Sequence, residues 1–488
     1  MSERVLRRPV AALVALALPL LAAPAYGGES GPASTRAAAR ALAAAEHPDG
    51  SRDQTLVLRD LRAHRDELAP ADRARAAALL QRPGGDRSQC FTTVCVHWFT
   101  SGSDKATRDY VDRVARVAQS VLKTYRAAGY RAPEADGTAG GNGLLDIYLS
   151  DLGTQGLYGY CDSDATPTDP GPYDAPAYCA FDNDYQEFPN HTPLENLQVT
   201  AAHELFHAVQ FAYDYYEDAW FMEATATWAE DELYDDVNDN LQYLAQSPLT
   251  QPDRSMDHFE NLGVRQYGDW IFFRYLTERY PDAQGGLPTL VREAWELADG
   301  AKGGPDEYSI RAVADTLAAR GTTMRDAWVR FADANRRPGT SYDEGRANRY
   351  PEGRLSGRVS LTGGSRDSGW KARRVDHLAA STVRFTRAAK MRAGSLKLRL
   401  DLPPRGRGSG AIATVYRTSG RPLATQVRLD AAGDATRTLP FGQDVKYVEV
   451  TLANAGIHYT CWKRTSFSCQ GRPDDDGLRF RVRAKALR

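Results

Sequence analysis

Three residues near the middle of the chain have the types and the spacing needed to activate water on a metal ion. His203, Glu204 and His207 occur in the order H-E-x-x-H. Residues four apart lie on one face of an α-helix, about 5 to 6 Å from each other, so both imidazoles can reach one zinc ion. Glu204 would then act on the water that this zinc binds. A hydrogen-bonded structural histidine pair is the alternative interpretation.

The segment after residue 191 predicts the helix that must carry this motif. Thr192, Pro193 and Glu195 fit the N-cap and first turn of a capping box. Apolar residues then recur at helical spacing, namely Leu194, Leu197, Ala201, Leu205 and Ala208. We expect this stripe to anchor the helix, while the two histidines lie on a neighbouring face that looks into a cleft.

A third protein ligand is expected, because a catalytic zinc usually binds three side chains and leaves its fourth position to water. The metzincin continuation requires Gly and His where this chain has Gln210 and Tyr213, which excludes it. The next helical segment, WFMEATATWAEDE, supplies Glu223 sixteen residues after the second histidine. Glu223 is therefore the predicted third ligand. Thr227 or Glu230, one and two turns further along the same face, could orient a histidine ring.

These segments resemble a family of secreted bacterial zinc metalloproteases in the gluzincin, thermolysin-like clan. The resemblance rests on HELFHAVQFAYD, WFMEATATWAEDE, GLLDIYLSDL and FDNDYQEFPN, and it covers residues 90 to 300 or so. Carried over residue by residue, it implies His203, His207 and Glu223 as zinc ligands and Glu204 as the general base. One departure is Thr227, which stands where thermolysin-like enzymes often have an aspartate.

The resemblance also implies roles outside the metal ligands. Related enzymes stabilise the oxyanion with a Tyr or His from the half of the domain that follows the zinc helices, and Tyr267 and His258 are the available donors. An ordinary packing or surface role is the alternative for each of them. In the same clan the strand nearest the metal helix is a sheet edge that pairs with extended substrate. Ala177 to Phe181 is the candidate for this strand by its order along the chain.

The predicted elements divide the chain into four segments. Residues 1–25 have the arginines, the apolar run and the Ala-Pro-Ala site of a secretory signal peptide. Residues 26–86 are helical in pattern and suit a prosegment or a packing role; without a cysteine they cannot place a thiol on zinc. Residues 87–345 predict an α+β, zincin-like catalytic domain with a mixed sheet. Residues 360–488 consist of short alternating runs between turns, which predicts an all-β sandwich.

Charge and cysteine content narrow the class of protein further. The formal net charge of −2 gives no reason to expect nucleic acid or an anionic membrane surface as a partner. Only the signal segment has an apolar run that approaches a membrane span, so the mature chain is predicted to be secreted. Six cysteines favour disulfides in an oxidising compartment, with connectivity open and local pairing preferred: Cys90 with Cys95, Cys161 with Cys179, and Cys461 with Cys469.

Clusters of carboxylates suggest calcium as a second possible cofactor beside zinc. They lie at 182–184, at 235–239 and at 474–476, and none of them fits the EF-hand loop. Solvated turns are the alternative interpretation.

The sequence as a whole predicts a secreted zinc endopeptidase that acts on protein or peptide substrates. In this mechanism zinc lowers the pKa of its water toward about 7, and Glu204 takes the proton and passes it to the leaving amine. One alternative is a secreted binding or adhesion protein in which the β-sandwich acts and the zinc domain is a scaffold. The other is a zinc hydrolase of a non-peptide bond. Glu204 favours catalysis, because a structural zinc site needs no carboxylate at that position. The oligomeric state is left open.

Overall fold

The computed structural model describes residues 32–47, 52–168, 170–260 and 263–488, so the predicted signal peptide lies outside it. Within these residues the protein is mixed α+β. The α-helices are α1 (Pro32–Glu46), α2 (Thr55–His64), α3 (Pro70–Leu79), α4 (Arg108–Ala127), α5 (Pro193–Phe211), α6 (Ala219–Leu233), α7 (Arg265–Gly268), α8 (Trp270–Arg279), α9 (Thr289–Leu297), α10 (Ser309–Ala319), α11 (Met324–Ala334) and α12 (Pro338–Ser341).

The strands form two groups along the chain, one before α5 and one after α12, with a short hairpin between them. They are β1 (Arg87–Cys90), β2 (Val94–Trp98), β3 (Leu145–Ser150), β4 (Gly159–Asp162), β5 (Tyr178–Asp182), β6 (Ala283–Gln284), β7 (Leu287–Pro288), β8 (Gly357–Leu361), β9 (Lys371–Val375), β10 (Ala379–Arg387), β11 (Ser395–Asp401), β12 (Ser409–Arg417), β13 (Leu423–Gln426), β14 (Asp434–Pro440), β15 (Val445–Asn454), β16 (Tyr459–Thr460), β17 (Arg472–Pro473) and β18 (Leu478–Leu487).

The first sheet has the order β1-β2-β3-β5-β4. Strands β2, β3 and β5 are parallel, and the outer strands β1 and β4 are antiparallel to their neighbours. The predicted edge strand Ala177 to Phe181 is therefore wrong, because β5 lies inside the sheet and β4 lies at its edge. The chain forms the outer strand first and then returns to pair between β3 and β4. Order along the chain does not fix order in a sheet, since strand pairing is a long-range choice.

Helix α5 begins as the sequence predicts. The Thr192 hydroxyl accepts a hydrogen bond from the Glu195 amide, and the Glu195 carboxylate accepts one from the Thr192 amide, which completes the capping box. The helix packs against α4, α6, β4 and β5. Leu194 was expected in the buried stripe, but it lies in the first turn ahead of these contacts and is 39% exposed.

The N-terminal helices form a small cluster of their own. Leu42 of α1 packs with Leu58 and Leu61 of α2, and alanines allow the helices to approach closely. Helix α2 also lies against the edge strand β4. This contact brings the residues just ahead of α2 over the first sheet.

The C-terminal strands form two sheets with the orders β13-β12-β15-β10-β8 and β14-β11-β18-β9. Alternate side chains of both sheets fill one common apolar cluster, for example Phe385 and Val450 from the first sheet with Leu398 and Phe480 from the second. Helix α11 packs on β12 and β15 and so joins this part to the helical half. No helix in the described ranges is both long and apolar enough to span a bilayer.

The predicted local disulfides are confirmed. Cys90 is bonded to Cys95 and Cys461 to Cys469. The third disulfide joins Cys161 to Cys179, which face each other in the ladder between β4 and β5. It fixes the edge strand to its neighbour directly beneath α5.

Candidate metal centre

Four buried side chains from three parts of the chain converge on one point. Helix α5 supplies His203 and His207, α6 supplies Glu223, and the residues ahead of α2 supply Asp53. One ligand atom from each lies within 4.8 Å of all the others. The two imidazoles meet because residues four apart share a helix face, and Glu223 meets them because α6 packs against α5.

The distances within this cluster suit a single small cation. The Nε2 atoms of His203 and His207 are 3.1 Å apart. Glu223 Oε2 lies 3.2 and 3.7 Å from these two nitrogens, and Asp53 Oδ2 lies 3.9 and 3.5 Å from them. Two atoms that are each about 2.0 to 2.1 Å from a tetrahedral zinc are roughly 3.3 to 3.4 Å apart. The four atoms therefore occupy the corners that a tetrahedral ion requires.

Hydrogen bonds to the far side of each ring fix which nitrogen carries the proton. His207 Nδ1 lies 2.7 Å from Gln210 Oε1. The amide nitrogen of Gln210 donates to Met222 O and Thr225 Oγ1, so its oxygen must accept the proton of His207 Nδ1. His203 Nδ1 lies 2.6 Å from Glu230 Oε1, a second acceptor. Both Nε2 lone pairs therefore face the centre of the cluster.

The charge of the cluster calls for a cation. Within the described residues, Oε2 of Glu223 receives no hydrogen bond although the side chain is buried. Burial on its own lowers the pKa of His207, but hydrogen bonds with Asp53 and Glu223 raise it to about 10. Protonated imidazoles or a bound metal ion can supply the positive charge. A metal satisfies all four atoms at once, whereas imidazole protons on Nε2 would point at each other across 3.1 Å.

Glu204 lies beside the cluster and is only 1% exposed. Its Oε2 atom accepts a hydrogen bond from Thr55 Oγ1 at 3.2 Å. Burial raises the pKa of the Glu204 carboxyl well above its usual value, and the charge of Asp53 raises it further. A divalent cation nearby would lower this pKa again and favour the carboxylate form that a general base requires.

The structure treats the two oxyanion candidates differently. Tyr267 is buried beside the cluster, with its ring 5.9 Å from that of His203 and 5.0 Å from that of Tyr243. It lines the same cleft as His203 and Glu204. His258 instead contacts Glu260 and the ring of Phe467, and it is not among the residues that line this cleft. Tyr267 is thus close enough to act there, and His258 is not brought to the site.

Two residues of the centre were not predicted as such from the sequence. Asp53 precedes the cluster helices by some 150 positions, and an acidic residue just ahead of a helix is typical of an ordinary helix start. Gln210 was recognised only as part of the histidine face. Of the two orienting candidates, Glu230 contacts His203, whereas the buried hydroxyl of Thr227 has no hydrogen-bond partner among the described residues.

The proposed calcium positions are occupied by other interactions. Asp182, Asp184 and Glu187 lie close together, but the Asp182 carboxylate accepts backbone N–H groups of residues 152, 153, 184 and 185. Asp475 is paired with Arg407. These carboxylates hold loops in place, and calcium stays a prediction from the sequence.

No protein-family model and no curated protein matches this sequence. Among solved structures, the chain is similar to a pre-peptidase C-terminal domain of a collagenase from Bacillus anthracis, with 8% identity over 27% of this chain and 97% of that one, and a TM-score of 0.17. It is also similar to the lysozyme inhibitor PliG of Aeromonas hydrophila, with 11% identity over 27% of this chain and 97% of that one, and a TM-score of 0.15. A family GH115 glucuronidase matches 60% of this chain and 38% of its own, with 11% identity and a TM-score of 0.14. Likenesses this weak carry no argument about function.

Proposed function

We propose that this protein is a secreted zinc endopeptidase of the gluzincin type. The observation that carries the proposal is the convergence of His203, His207 and Glu223 with their lone pairs directed at one point, and with Glu204 beside it. In this proposal residues 87–345 form a zincin-like catalytic domain and residues 360–488 form a β-sandwich. The three disulfides are in keeping with an exported protein.

The donor set favours zinc over other common metals. Two imidazoles and one or two carboxylates at tetrahedral spacing are typical zinc ligands, whereas calcium and magnesium prefer six or more oxygens. Glu230 and Gln210 would orient the two rings from behind. When bound, zinc would supply Lewis acidity and lower the pKa of water.

The side chains around the centre can carry the remaining steps of hydrolysis. Glu204 would accept one proton of the attacking water and deliver it to the departing nitrogen as the C–N bond breaks. The acyl product then carries the hydroxyl group and the amine carries the proton. Tyr267 would donate a hydrogen bond to the oxygen that gains charge in the tetrahedral intermediate.

A peptide is favoured over other substrates because the cleft already accepts polypeptide. The backbone amide of Tyr158, just ahead of edge strand β4, donates to the carbonyl of Arg52 at 2.9 Å, and Asp53 forms a bridge with Gly159. An edge strand of this kind binds an extended backbone whatever its sequence. The alternatives are a scaffold domain of a binding or adhesion protein, and a hydrolase of a non-peptide bond.

The test is the Glu204→Gln variant, made both in the natural chain and together with Asp53→Ala, because Asp53 stands at the fourth position of the centre. We expect one zinc per chain in every protein, and hydrolysis of casein that Glu204→Gln abolishes. Glu296→Gln, on an exposed helix surface, is the matched control and should leave turnover unchanged. Stoichiometric zinc with no turnover of any unfolded protein in either background would favour the scaffold alternative, and turnover at an unchanged rate in Glu204→Gln would remove its role.

A further inference from the structure

Residues 52–62, which we name the latch segment, cover the cleft that a substrate would need. Arg52 and Asp53 pair with β4 through the backbone, and the Thr55 hydroxyl accepts a hydrogen bond from the Cys161 amide at 2.9 Å. The same hydroxyl donates to Glu204 at 3.2 Å. The segment therefore contacts both the free edge of the sheet and the residue assigned as general base.

The latch segment leaves almost no room at the centre. The space enclosed by Asp53, His203, Glu204, Tyr267 and their neighbours is about 30 Å³. One water molecule takes about 30 Å³ in the liquid, while small-molecule sites measure about 300 to 1,000 Å³. No peptide can reach Glu204 while the segment stays in place.

Asp53 is held in the one position that a catalytic centre keeps for water. Its Oδ2 atom faces both imidazole Nε2 atoms at 3.5 and 3.9 Å, and its Oδ1 atom accepts the Thr55 amide at 2.6 Å. The carboxylate is 5% exposed. Three ligands from α5 and α6 with Asp53 as the fourth make a closed tetrahedral set, and closed sets are typical of inactive or structural zinc.

Two buried arginines fasten the segment from its other end. Arg59 donates to the carbonyls of Tyr215 and Glu217, which lie between α5 and α6. Arg62 pairs with Asp162 at the end of β4, at 2.6 Å. All these contacts are made by a part of the chain that precedes the first sheet, so the segment can leave without unfolding the sheet or the metal helices.

We infer that the latch segment keeps the metal centre closed, with the Asp53 carboxylate as its fourth ligand, and that the centre opens when this segment is withdrawn. This inference rests on the proposed function only in requiring that the cluster binds a divalent metal. It assigns the N-terminal helices a regulatory role that does not depend on a thiol.

The test uses the full chain loaded with Co²⁺, whose visible absorption reports the ligands around the metal. Acetohydroxamate, a small anion that binds metal through two oxygens, is titrated into wild type, Asp53→Asn and Asp53→Ala. We expect the spectrum of wild type to stay unchanged. Both variants should bind the anion at least tenfold more tightly, and they should lose cobalt to a chelator at least tenfold faster. Asp53→Asn keeps the shape of the side chain and its bond to the Thr55 amide, which guards against misfolding.

Two further variants make the result specific. Asp66→Asn changes an 85% exposed aspartate of the same N-terminal part and should behave as wild type. Arg59→Met loosens the segment without touching the metal and should open the centre partly. Wild type that takes up hydroxamate as readily as Asp53→Asn would refute the latch alone. Asp53→Asn that loses cobalt on dialysis would show that Asp53 is a required ligand. Wild type that holds no cobalt would refute the metal centre, and with it the proposed function.

Discussion

Glu230 and Glu223 approach opposite nitrogens of the same ring, that of His203. Glu230 Oε1 lies 2.6 Å from Nδ1, and Glu223 Oε2 lies 3.2 Å from Nε2. A metal-bound imidazole uses one nitrogen for the metal and donates a proton from the other. The structure therefore gives the two glutamates different tasks, which the sequence had ranked by spacing alone.

The first prediction follows from that difference. Glu223→Ala should lose zinc on dialysis, because the centre loses an anionic ligand. Glu230→Ala should keep zinc but bind it about 10 to 100-fold more weakly, the usual cost of an orienting partner. Metal content and affinity by competition with a chelator measure both. If Glu230→Ala were the variant that lost its zinc, Glu230 would be the ligand.

The second prediction concerns Gln210, which holds the other ring. Gln210→Met removes the acceptor for His207 Nδ1 and should weaken zinc binding about 10 to 100-fold. Gln210→Glu restores an acceptor and should recover most of the affinity. Equal affinities in the two variants would show that packing alone orients His207.

The third prediction concerns a buried carboxylate in the C-terminal part. Glu449 accepts hydrogen bonds from Arg336 at 3.1 Å and from Arg384 at 2.6 Å, and it is 1% exposed. Glu449→Ala leaves two buried cations without their partner and should lower the free energy of unfolding by about 3 to 5 kcal/mol. Glu352→Ala removes a 71% exposed carboxylate near Arg336 and should cost less than about 1 kcal/mol. Urea unfolding of the two variants compares them directly, and similar losses would contradict the argument.

The fourth prediction is a loss of stability on the alkaline side of neutrality. His377 is fully buried between Asp257, 2.8 Å from Nε2, and the half-exposed Asp476, 3.0 Å from Nδ1. Burial on its own lowers the pKa of His377, but these two carboxylates raise it to about 9, from about 6.5 in the unfolded chain. Tyr459 and Ser468 also donate to Asp257 and keep it charged.

The direction follows from the proton balance. The folded protein binds the extra proton, so this contribution is fully present below about pH 6.5 and disappears as the pH rises through about 9. At one pKa unit per 1.36 kcal/mol it amounts to roughly 3 kcal/mol. The midpoint of thermal unfolding should fall across this window in wild type and in His458→Asn, a control with a 63% exposed ring. It should change less in His377→Asn, and an equal slope there would refute the assignment.

Local interactions were enough to predict much of the centre. The capping box of α5 depends on residues three apart, the meeting of His203 with His207 on residues four apart, and both follow from helix geometry. The three disulfides join cysteines that are near in sequence, and Glu223 lies on the very next helix. In each case the chain between the partners is too short for many alternative arrangements.

Only the tertiary structure decided the order of the first sheet and the fourth member of the cluster. Strand β5 inserts between β3 and β4, and Asp53 meets two histidines some 150 residues further along. It likewise decided that Tyr267 faces the cleft and that His258 does not. Such contacts are chosen by the packing of whole elements, because many distant partners are chemically suitable and the sequence between them sets no distance.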